Sequence, residues 1–165
     1  MFSQDEIDAL ISCSKGISEA PKREMRLDGA HLRNTAKLIA LDNTKGEFIV
    51  FMRQSEDFPE NFSIGLSYSP CDGRETIKLL RCNGKHGDYN GSFDQDHPHF
   101  DFHIHQASEK AIEAGYLPEK FATKTTEYAS FEEAIQCFVK AINLNARDAE
   151  KYFPPNSQLI FSFVQ

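Results

Sequence analysis

Hydrophobic and polar positions along the chain change period from helical to strand-like and back again. Ile7, Leu10, Ile11 and Ser14 recur at helical spacing behind a Ser3–Glu6 capping box, with Phe2 and Ile7 placed as a hydrophobic staple. Gly16 reads as the stop of that helix. From Glu24 to Arg81 the pattern becomes strand-like. Met25 to Leu27 predicts a short strand, Leu32 to Leu41 a longer one, and Glu47 to Arg53 a central one. Phe62 to Tyr68 and Thr76 to Cys82 flank Pro70-Cys71-Asp72-Gly73, a hairpin signal that makes the sheet antiparallel. Helical spacing returns at Ala107 to Ala114, closed by Gly115, and again behind the Ser130–Glu133 capping box, where Phe131, Ile135, Phe138, Val139 and Ile142 form one apolar face. Leu159 to Val164 reads as a last strand or a docked apolar tail. The order predicts one α+β domain over residues 1–165. An antiparallel sheet of about five to seven strands has N-terminal and C-terminal helices packed against it.

Length and charge narrow the classes. At 165 residues the chain can bury a core without a disulfide or metal staple. Eighteen Lys and Arg against 25 Asp and Glu give a net charge of -7, which argues against wrapping long duplex nucleic acid. It leaves room for a local basic pocket or for docking on a basic protein surface. No apolar run approaches the length of a membrane span, and the acidic N-terminus has no signal-peptide core. The expected location is cytoplasmic, with Cys13, Cys71, Cys82 and Cys137 as reduced thiols. Of these, Cys82 is best placed to be a soft metal ligand.

Five of the six histidines lie between His86 and His105. In His97-Pro98-His99-Phe100-Asp101-Phe102-His103-Ile104-His105, polar residues alternate with apolar ones. An extended chain would put the histidines on one face and Phe100, Phe102 and Ile104 on the other. A half-buried edge strand with solvated histidines would show the same alternation. Same-face neighbours two residues apart can share one ion or flank one phosphodiester. His103 and His105 are the best-anchored pair. The preceding segment, Arg81 to Gly91, is glycine-rich and carries Arg81, Lys85, His86 and Asp88. His31, isolated at a strand start, reads as structural.

Arg81, Gly84 and His86 followed by His103-Ile104-His105 resemble the motif of an uncharacterised family of small bacterial proteins found around mobile elements. The helices behind Ser3 and Ser130 sit where that family has them. This chain has Phe102 where the family has proline, Gln106 where it has an aromatic residue, and a longer loop adding His97 and His99. A more distant similarity is to ribonuclease-type toxins of toxin–antitoxin pairs.

Three functions follow as expectations. In the first, an endoribonuclease-like toxin, His103 and His105 act as general base and acid on RNA, with His86 nearby and Arg81 or Lys85 stabilising phosphate charge. It needs no cofactor. In the second, His86, His103 and His105 ligate a divalent metal such as zinc, with Asp101 behind them or acting as base. In the third, the chain is a non-enzymatic factor that binds a host or antitoxin protein.

Overall fold

The computed structural model describes residues 1–86 and 98–155. Asp88, the return through residues 92–96, His97 and the apolar tail at 159–164 lie outside the described residues. The architecture is α+β: among the described residues there are four helices and an antiparallel sheet of eight strands, more than the five to seven expected.

Helix α1 (Gln4–Ser12) starts where Ser3 accepts a hydrogen bond from the Glu6 amide, and it buries Ile7, Leu10 and Ile11. It ends at Cys13, so Gly16 belongs instead to strand β1 (Lys15–Glu19). There follow β2 (Arg26–Asp28), β3 (His31–Ala40), β4 (Glu47–Ser55), β5 (Phe62–Ser69) and β6 (Ile77–Asn83). A 3₁₀ turn (Pro98–Phe100) leads to β7 (His103–Gln106), α2 (Glu109–Glu113) and β8 (Ala122–Lys124). The chain closes on α3 (Phe131–Ala141), capped by Ser130, and α4 (Ala146–Tyr152). Among the described residues no helix is long and apolar enough to cross a membrane.

The sheet runs β1-β3-β4-β5-β6-β7-β8, and β2 pairs with the far end of the β3 edge that β1 uses. Every pairing between these strands is antiparallel, so directly opposite residues share a face. One face carries Ala36, Val50, Leu66 and Leu80 in one row and Met52, Ile64, Cys82 and Ile104 in the next. Helix α3 packs over β5 and β6, and α1 over β6, closing the core with Phe131, Ala134, Phe138 and Val139. Each fully buried large apolar side chain there contributes about 1.5–3 kcal/mol.

The opposite face is polar. Register places Arg26, Arg33, Arg53, Ser63, Asn83, His103 and Lys124 in one row across the strands. Thr35, Phe51, Gly65, Arg81, His105 and Ala122 form the row beside it. The histidine strand is shorter than expected. Its extended part begins at His103 because only residues 103–106 find partners, β6 on one side and β8 on the other. Pro98, with φ fixed and no amide proton, sits in the 3₁₀ turn instead.

Candidate functional site

The site is assembled where β6 ends beside β7. Asn83 is paired with Ser63 on one side and His103 on the other. The next residue must be glycine. The Gly84 amide donates to Phe62 O at 2.9 Å, and a Cβ there would run into Glu60 O and the Phe62 ring. This close approach turns the chain so that Lys85 and His86 part. The Lys85 ammonium lies 5.1 Å from the centre of the Phe102 ring, whereas His86 joins the polar face. A backbone bond from the His86 amide to His99 O, 3.0 Å, ties this turn to the 3₁₀ turn.

Four imidazoles meet there. Ring centres of His99 and His103 are 4.6 Å apart, those of His86 and His103 5.0 Å, and those of His103 and His105 5.1 Å. His99, His103 and His105 are buried, and His86 is partly exposed. The ligand atoms of His86, His99 and His103 all lie within 4.8 Å of one another. The metal triad expected from the sequence used His105; the structure completes the triangle with His99, brought in by a turn and not by strand alternation.

The tautomers of two rings are set by their neighbours. His103 Nδ1 is 2.8 Å from Asp101 O, and His105 Nδ1 is 2.9 Å from Glu119 O. A carbonyl oxygen only accepts, so both Nδ1 atoms carry the proton and both Nε2 atoms present a lone pair. Histidine ligands are commonly oriented this way. His103 Nε2 lies 3.3 Å from His86 Nε2, with Asn83 Nδ2 at 3.4 Å. Ser63 Oγ bonds Asn83 Oδ1 at 3.0 Å and holds that amide in place. Behind β6 and β7, the Tyr128 hydroxyl lies 2.7 Å from His103 O and 3.0 Å from Asn83 O, clamping the two strands where the site needs them fixed.

Electrostatics follow burial. Loss of solvent pushes His103 down to about 4, partly offset by the bond to Asp101 O. Burial, reinforced by the Arg81 charge, pushes His105 down to about 3. Arg81 is itself lowered by burial, with Glu119 opposing and Arg53 adding to the shift. Asp101 contributes its backbone oxygen to His103, while its carboxylate pairs with Lys124 at 3.2 Å. Cys82 faces the apolar core, and burial pushes its thiol up to about 12, so it offers the site no thiolate.

His86, His99 and His105 open into a cavity of about 460 Å³ whose walls also include Arg53, Arg81, Asn83 and Glu119. Sequence patterning pointed to His86, His103, His105 and Arg81, and the structure brings these together. It did not point to Arg53, Asn61 or Glu119, which arrive from β4, a connecting loop and the segment after α2. His31, read as structural, lines the same cavity. No sequence signal identified these residues, because only strand register and the path of the loops place them there. No family model, curated protein or solved structure matches the chain.

Proposed function

We propose that the protein is a metal-dependent hydrolase of an anionic ester, with His86, His99 and His103 holding one divalent ion at the inner end of the cavity. The observation that carries this reading is the 3.3 Å separation of the His86 and His103 Nε2 atoms, with His103 held in its ligating tautomer. That distance matches the edge of a tetrahedron with metal–nitrogen bonds of about 2.0–2.1 Å. The third nitrogen, from His99, lies within 4.8 Å of both. Three protein ligands and a fourth position open to the cavity are the arrangement of catalytic zinc sites, where bound water ionises near neutrality. Arg81 and Arg53 line the same cavity and supply positive charge for an ester that gains negative charge in its transition state. Neutral His105 turns a lone pair toward the same space.

Acid–base catalysis by His103 and His105 is the weaker reading. A general acid must carry its proton at the working pH, and burial holds both rings far below neutrality. The test is elemental analysis of untagged protein, with hydrolysis of bis(p-nitrophenyl) phosphate followed before and after chelation. About one equivalent of zinc, manganese or nickel is expected, lost in His103→Ala, with hydrolysis stopped by chelator and restored by metal. Metal below about a tenth of an equivalent, with RNA cleavage surviving chelator, would replace this reading with the acid–base one.

A further inference from the structure

The polar face of the sheet continues beyond the histidines. Arg26, Arg33 and Arg53 stand directly opposite one another on β2, β3 and β4, and the same row ends in Ser63, Asn83 and His103. From Arg26 to Asn83 it crosses four strand-to-strand steps, about 19 Å. A second hollow of about 350 Å³, lined by Lys22, Arg26, Arg33 and Thr35 among others, lies along it on the side away from the histidines. The helices cover the other face, and Arg33 and Thr35 are exposed. A chain of net charge -7 thus gathers arginines on one open surface. Arg33 is paired with the exposed Asp28 at 3.2 Å; among the described residues Arg53 and Arg81 have no ion pair.

Two further features indicate what would lie there. Beside the arginine row the Phe51 ring rests on Gly65, so close that a Cβ at Gly65 would collide with it. Phe51 is partly exposed, which leaves some of its apolar surface at the solvent boundary next to positive charge. Within the cavity, the donor Arg81 Nε and the acceptor Asn61 Oδ1 are buried without a hydrogen-bond partner among the described residues. A ligand that satisfies both must accept from a guanidinium and donate a proton to an amide oxygen. A ribose 2′-hydroxyl next to a phosphate does both, and that hydroxyl separates RNA from DNA. Aromatic faces beside basic residues are how single strands are held, because their bases are free to stack.

We propose that this face is a track for single-stranded RNA, with phosphates on Arg33, Arg53 and Arg81, a base stacked on Phe51 and a ribose hydroxyl on Asn61 Oδ1. The proposal names the substrate of the hydrolase reading and leads the strand toward His86 and His103. Double-stranded RNA does not fit, because its paired bases cannot reach Phe51.

Binding can be tested apart from catalysis. A fluorescein-labelled 12-nucleotide oligouridine is titrated with the full chain in chelator, beside the matching deoxyuridine strand and a duplex RNA. Preference for single-stranded RNA is expected, with a log–log salt slope of about -2 for three neutralised phosphates. Arg53→Gln and Phe51→Leu should each weaken binding about tenfold. Asn61→Ala should remove the preference for RNA over DNA. Lys140→Gln, on α3 across the sheet, should change nothing. Equal affinity for RNA and DNA, tighter binding to duplex, or no response to Arg53→Gln would overturn the proposal. RNA bound this way, together with less than about a tenth of an equivalent of metal in untagged protein as purified, would reject the metal centre and leave the track standing.

Discussion

His103 donates its Nδ1 proton to the backbone oxygen of Asp101, two residues earlier, at 2.8 Å. Because this ring is fully buried beside His86, His99, His105 and Asn83, the bond favours one neutral tautomer while burial disfavours the cation.

Stability should therefore depend on pH through the histidines. Folded His103 and His105 titrate near 4 and 3, below the ordinary 6.5 of the unfolded chain. As pH falls below about 6.5 the unfolded chain takes up protons that the folded chain refuses, so stability is full above that value and lost on acidification. Each histidine adds a slope of about 1.4 kcal/mol per pH unit until its folded value is approached. Urea unfolding of the metal-free protein between pH 7 and 5 checks this, and His103→Gln should roughly halve the slope. A flat profile would show that the rings are not held neutral.

Gly84 is a positioning residue. Gly84→Ala places a methyl against Glu60 O, in the turn before β5, and against the Phe62 ring on β5, so the backbone must move. The expected outcome is a loss of about 1–3 kcal/mol, the range for overpacking, with metal affinity falling further than in a variant of equal instability elsewhere. Isothermal titration with zinc, set beside Ile64→Val as the destabilised control, separates the two effects.

Lys15 tests the fold away from the site. Its side chain is fully buried, and its ammonium donates to Ile11 O, Cys13 O and Ile142 O at 2.7, 2.8 and 3.0 Å. Those carbonyls close α1 and α3, where a cation also complements the helix dipoles. Lys15→Met should cost about 3 kcal/mol, because three carbonyl acceptors, two of them buried, lose their donor at once. Thermal unfolding is the measurement, and a Tm within 2 °C or so of the parent would contradict the assignment.

Local chemistry made much of the frame readable. Ser3 and Ser130 announced helices because a hydroxyl three residues before an amide is a short-range relationship. The β5–β6 hairpin was likewise visible from its turn. Strands β1 and β8 were not, since three to five residues with few apolar positions carry no period. Helix α4 fully buries none of its residues and meets the core only through Ala149 and Tyr152, too few positions to show a period.

The histidine segment divides the same way. Spacing alone showed that imidazoles were concentrated near Arg81, and that His103 and His105 would share a face. That His99 and not His105 closes on His86 depended on the register of β6 against β7 and on a turn at Pro98. Arg53 lies 28 residues before Arg81 in the chain and joins it only through β5. Periodicity reports which side of a strand a residue takes; which distant residues stand beside it is settled by pairing between strands, and no short stretch of chain encodes that.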